Sequence, residues 1–204
     1  MHFTHIRNLP AILAAGCLHA DNVVRRERIA IVEAADPAIK ERRRTLRVRL
    51  SPFGCVGDYV PFYFASQSPM LFKLANGSVP GYADGQDRLI YLVSTVERVA
   101  EADLRYLFSD GNCASTITQI FNDLRQIDEM VDWPLMRAKM WNNTADDPDR
   151  MRRRMAEFLV HERMPVGCLA GIAVRTPTMR DQVQAILDEH GVTLPVRVRP
   201  AWYF

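Results

Sequence analysis

Residues 150–160 read RMRRRMAEFLV: four arginines, then Glu157 at the head of Phe158-Leu159-Val160. A short run of large apolar residues bounded by polar sequence is a strand of a packed core. Glu157 is out of place there, because a buried carboxylate is costly unless it finds a cation or faces a cleft. The arginines just upstream offer one resolution and a ligand cleft offers the other.

Outward from this strand the chain alternates irregularly between strand and helix signals. YVPFYF (59–64) is aromatic and extended, and Pro61 points to a sheet edge or a bulge because it cannot donate to a ladder. Leu89–Val93 begins a strand that passes into a helix, and RYLFSDGNCAS (105–115) is a strand running into a turn at Asp110-Gly111. AEFLVHERMP (156–165), GCLAGIAVR (167–175) and LPVRVRPAWYF (194–204) read as three further strands. HIRNLPAILAAG (5–16) is a short amphipathic helix stopped by Gly16, preceded by a strand on which His2 and Thr4 share a face. Asp36-Pro37 starts a helix, 118–141 is helical with a break at Pro134, 142–149 is a polar loop, and Thr176 caps a helix ending at Gly191. Strands and helices mixed without regular βαβ order predict an α+β fold, with 1–204 as one domain.

The 204 residues are 48% hydrophobic and 25% charged, the composition of an ordinary globular chain. No apolar stretch reaches membrane-spanning length and the first residues lack a signal peptide's apolar core, so the expected location is the cytoplasm. Four scattered cysteines without a CxxC pair, and five histidines without HExxH spacing, predict no metal site. Dinucleotide and triphosphate glycine loops and a G-x-S-x-G elbow are absent too. Net charge is only +2, yet RRRTLRVR (42–49) holds five arginines and 150–154 four more. Any one such cluster is most simply a solvated face, but arginine's planar fork suits phosphates and bases, which points to nucleic acid.

Several separated pieces together resemble the DarT-type DNA ADP-ribosyltransferase toxins: HFTHIRNLPAIL, IKERRRTLRV, DYVPFYFASQSPML, LFSDGNCA, RRRMAEFLV, GIAV and VRVRPAWYF. The resemblance implies a compact ADP-ribosyltransferase-like fold with a split central β-structure gripping NAD as a co-substrate. It implies transfer of ADP-ribose to a base, thymine favoured, in single-stranded DNA, with a macrodomain antitoxin as partner. Departure of nicotinamide leaves an oxocarbenium-like ribose, and Glu157 matches the carboxylate that stabilises it. Aligning Ile39 and Val48 puts the family's catalytic arginine at Arg43, with Arg42 and Arg44 one register away. Because a guanidinium holds its proton firmly, Arg43 is assigned to electrostatic stabilisation of the deprotonated base and Glu157 to accepting the proton. His2, Thr4, Asn8, Gly16, Arg43, Tyr63 and Ser68 are the implied NAD-binding set. Single-stranded DNA falls to Lys139, Trp141, Arg152, Arg153 and Arg154, a basic track beside a stacking surface. Transfer to guanine or RNA, modification of protein, and an inactive nucleic-acid-binding module are the alternatives.

Overall fold

The structure, a computed structural model, describes residues Met1–Phe204. The strands are β1 (His2–His5), β2 (Cys17–His19), β3 (Tyr59–Tyr63), β4 (Leu89–Val93), β5 (Tyr106–Ser109), β6 (Ile120–Phe121), β7 (Glu157–His161), β8 (Arg163–Pro165), β9 (Gly171–Val174) and β10 (Val196–Val198). The helices are α1 (Leu9–Ala14), α2 (Asp21–Arg26), α3 (Pro37–Thr45), α4 (Pro69–Ala75), α5 (Val96–Glu101), α6 (Ile127–Met130), α7 (Trp133–Arg137), α8 (Arg150–Arg154) and α9 (Pro177–Glu189).

Two four-stranded sheets, ordered β1-β4-β9-β10 and β3-β7-β5-β6, carry the fold, with β2-β8 as a small third. All pairs are antiparallel except β9-β10, which α9 connects. The large sheets meet where Met1 and Tyr63 exchange backbone hydrogen bonds of 2.8 and 2.7 Å, so β1 continues from the end of β3. The split β-structure and the α+β class are therefore as the resemblance implied.

Why β4 is a continuous apolar run is plain from its two faces. Ile90 and Leu92 enter the main core of 29 buried residues, whereas Leu89 and Tyr91 enter a second core with Leu71, Leu74 and Tyr203. A strand buried on both faces has no polar side. On α9, Met179, Val183 and Leu187 recur at four-residue spacing and face the main core, and the Thr176 hydroxyl accepts the Met179 amide at the helix start.

Three local expectations are corrected. The helix expected over 5–16 is α-helical only from Leu9, because His2–His5 pairs with β4 and Ile6–Asn8 forms a 3-10 turn. In 118–141, Ile120–Phe121 pairs with β5 as a strand, and Pro134 lies in the first turn of α7, where it starts a helix rather than breaking one. The single strand expected over 156–165 is two, β7 and β8, in different sheets, parted at Glu162 with φ 59°. Pro61 does lie on an edge strand, as its missing donor requires.

Candidate active site

Strand periodicity resolves the oddity of Glu157. Along β7, Phe158 and Val160 enter the main core, while Glu157 and Leu159 turn to the opposite face. Glu157 lies directly across from Tyr63 on β3, in register with Pro61 opposite Leu159 and Tyr59 opposite His161. Tyr59, Pro61 and Tyr63 share that face and line a cavity of about 240 Å³ together with His2, Thr4, Asn8 and Arg43.

Glu157 is completely buried, and its cation comes from none of the arginines just before it. Arg43 Nη1 and Nη2 donate to Oε1 and Oε2 at 2.9 and 2.8 Å, a parallel fork spanning 114 positions of sequence. The Cys113 amide adds a third bond to Oε1 at 3.0 Å. Bidentate, charge-assisted bonds of this kind fix both planes as well as both charges. Burial works to lower the Arg43 pKa, but the adjacent carboxylate outweighs it, so the guanidinium keeps its proton more firmly than usual. Burial, and then Glu157, push the Tyr63 phenol and the Cys113 thiol upward, so both stay protonated at neutral pH.

Local rules explain how Arg43 arrives there. Asp36 caps α3 by accepting the Ala38 amide at 2.9 Å and Pro37 occupies its first turn. Ile39 and Arg43, four residues apart on one helical face, both line the cavity. Of the three arginines in question, Arg42 is exposed and Arg44 is tied to Asp21 at 2.6 Å and Glu41 at 3.1 Å, so Arg43 alone reaches Glu157.

His2 has its Nδ1 2.9 Å from the Pro61 carbonyl, and burial pulls its pKa down to about 4. A neutral ring has one N–H, and a carbonyl can only accept, so Nδ1 donates and Nε2 is left as an acceptor. Asn8 lines the cavity, with its side-chain amide bonded to Thr4 and to the backbone of Val32. It donates to Thr4 Oγ1 and the Val32 carbonyl, both at 3.0 Å, and accepts the Val32 amide at 2.7 Å.

Other assigned residues have different places. Ser68 is fully buried, and its hydroxyl caps α4 by accepting the Leu71 amide at 3.2 Å, so it forms no cavity wall. Gly16, at φ 67°, turns the chain after α1 and does not line the cavity. Arg154 is buried, donating to the carbonyls of Leu135, Met136, Ala138 and Gln67 at 2.6–3.1 Å. Arg153 pairs with Asp132 and Asp147, and Arg152 with Asp110 and Asp149. Trp141 is buried edge-on against Phe72 and Phe204. Lys139 alone of that set is exposed and unpaired. Arg152 is held by Asp110, Asp149 and Thr118 and Arg154 is buried against four carbonyls, whereas Arg153 is 29% exposed and its Nε has no hydrogen-bond partner.

Several cavity residues gave no advance signal. The irregular stretch carrying Ile29, Ile31, Val32 and Glu33 lines it, as do Lys40, Asn112 and Met155. The apolar IAIV run without a paired strand was the one visible hint. Lys40 bridges Asp21 at 2.5 Å and Glu33, tying that stretch to α2 and α3.

Set beside known proteins, the fold is that of an NAD-dependent ADP-ribosyltransferase acting on DNA. A structure of Thermus sp. 2.9 DarT in complex with ADP-ribosylated ssDNA superposes with TM-score 0.91 at 33% identity, covering 100% of this chain and 94% of that one. The same protein in complex with NAD+ matches with TM-score 0.84 at 31% identity, covering 100% and 96%. A DNA ADP-ribosyl transferase of Mycobacterium tuberculosis is 34% identical over 206 residues, 100% of this chain and 87% of that protein. A Thermosipho africanus fusion of a DNA ADP-ribosyl transferase with a DNA ADP-ribosyl glycohydrolase is 24% identical, over 100% of this chain and 48% of the fusion. The family model described as ssDNA thymidine ADP-ribosyltransferase, DarT, matches residues 1–204. The chain belongs to the DarT family and is a DNA ADP-ribosyltransferase.

Proposed function

We propose that residues 1–204 act as one catalytic domain in which NAD+ binds in the cavity with its nicotinamide ribose at the Arg43–Glu157 fork. The reaction takes the N3 proton from a thymine of single-stranded DNA, forms a bond from that nitrogen to the ribose C1′, and releases nicotinamide. Positive charge develops on the ribose as nicotinamide leaves, and a fully buried carboxylate in a water-poor site stabilises that charge strongly. Glu157 also accepts the thymine proton, while Arg43 steadies the negative charge that builds on the base. His2 Nε2 accepts from the nicotinamide-ribose end, Tyr63 and Thr4 flank it, and Asn8 holds the cavity wall in place. Lys139 contacts the DNA backbone. The observation that carries this reading is the fork of 2.8 and 2.9 Å beside the cavity.

A macrodomain glycohydrolase that removes the modification is the partner, a pairing supported by the Thermosipho africanus fusion. No helix is long and apolar enough to cross a membrane; the proposed place of action, on DNA, is the cytoplasm. Incubation with NAD+ and separate thymine-only and guanine-only oligonucleotides tests the reading by mass spectrometry. One ADP-ribose is expected on the thymine oligonucleotide; modification of guanine alone, or of neither, refutes it.

A further inference from the structure

The loop joining β5 to β6, residues 110–119, delivers the amide that holds Glu157, and its own anchoring is unusual. Arg152 lies against it with all five guanidinium N–H donors engaged. Nε donates to Asp149 Oδ1 at 2.8 Å; Nη1 donates to Asp110 Oδ1 at 2.9 Å and Thr118 Oγ1 at 3.2 Å; Nη2 donates to Asp110 Oδ2 at 3.1 Å and Asp149 Oδ2 at 2.7 Å. A guanidinium has five such donors, so none is left for a phosphate. The Arg152 carbonyl meanwhile accepts the Asn112 amide at 3.0 Å.

The loop closes around this side chain. Thr118 Oγ1 donates to the Asn112 carbonyl at 2.7 Å and the Gln119 amide donates to Asp110 Oδ1 at 2.9 Å. Gly111 is the only residue type that fits at its position, since an added Cβ would lie 2.3 Å from Arg152 Nη1 and 2.9 Å from its carbonyl oxygen. One residue beyond Asn112, the Cys113 amide reaches Glu157 Oε1, and Ser109, just before the loop, accepts the Glu157 amide at 3.1 Å. Ser109, just before the loop, and Cys113, within its first half, therefore both touch Glu157, and Asn112 lines the cavity.

We propose that Arg152 is a positioning residue for transfer: its guanidinium latches the 110–119 loop so that the Cys113 amide holds Glu157 in the reactive orientation. The idea rests on the reading of Glu157 as the catalytic carboxylate. A shift of about 1 Å at such a group costs on the order of 100-fold in rate. Because Asp110 and Asp149 are partly solvated, 20% and 37% exposed, losing Arg152 frees the loop without leaving fully buried charges.

Arg152→Ala, Arg152→Lys and Asp110→Asn test this from both sides of the latch. Amide hydrogen exchange reports on the latch without any chemistry. Exchange across 110–119 is expected to rise about tenfold or more in Arg152→Ala and in Asp110→Asn, with α9 unchanged; unaltered exchange overturns the proposal. Wild-type transfer to a thymine oligonucleotide, measured alongside, tests the catalytic reading separately. In the active enzyme, kcat is expected to fall about 100-fold in Arg152→Ala, with KM for NAD+ and oligonucleotide affinity within about twofold. Lysine keeps the charge but not the fork, so Arg152→Lys should remain at least about tenfold impaired. Weakened oligonucleotide binding with kcat preserved, or full activity of Arg152→Lys, shows Arg152 to be a DNA contact or a mere charge and overturns the latch.

Discussion

Glu157 and Arg43 meet with no solvent between them, so the two side chains must be considered as one unit. Replacing Glu157 by Gln removes the charge yet keeps nearly the same volume. Transfer should fall by about 1,000-fold or more while oligonucleotide affinity is retained, in steady-state and anisotropy measurements. The same substitution leaves Arg43 an unpaired, mostly buried cation, so the unfolding free energy should drop by about 3 kcal/mol. At His2 the folded pKa of about 4 lies below the unfolded value near 6.5. Between those values the unfolded chain binds more protons than the folded one, so stability is full above pH 6.5 and declines as pH falls towards 4. The loss amounts to at most about 3 kcal/mol, and urea unfolding at pH 4.5 and 7.5 should show it shrinking in His2→Gln.

α3 offers the clearest case at the scale of an element, since it buries no residue and nonetheless carries Arg43. Its stability comes from the Asp36 cap, Pro37 and the ties of Lys40 and Arg44 to Asp21. Asp36→Ala should cost about 1 kcal/mol of stability and loosen the helix that aims Arg43, so exchange within 37–45 should rise. α4 gives a contrasting expectation. Ser68 caps it from a fully buried position, so Ser68→Ala should lower stability by about 1 kcal/mol and leave KM for NAD+ unchanged.

Across the whole molecule, charge is organised for folding as much as for ligand. Arg154, on α8, ties that helix to two other segments by donating to the carbonyls of Leu135, Met136 and Ala138 at the end of α7 and of Gln67 between β3 and α4. Burial lowers its pKa, the mark of a cation held by dipoles in place of a carboxylate. Arg154→Ala should destabilise the fold by roughly 3 kcal/mol, because several buried acceptors lose their donor together. The salt dependence of oligonucleotide binding should not change, whereas Lys139→Ala should flatten its log–log slope by about one.

Much of this protein was legible along the chain. β4 showed in the LIYLV run, β3 in YVPFYF with Pro61 marking an edge or a bulge, α3 in Asp36-Pro37, and α9 in its Thr176 cap and Gly191 stop, because caps and strand patterns act between near neighbours. Glu157 was conspicuous because an isolated carboxylate heading an apolar run demands compensation. What supplies it came only with the tertiary structure. The cation lies 114 positions away, and the arginines beside Glu157 in sequence project to other partners once α8 and β7 take different directions. Which arginine meets phosphate, carboxylate or carbonyl depends on long-range pairing, and so does the cavity wall formed by residues 29–35. A sequence specifies charges and local turns; only packing decides which charges become neighbours and which remain free.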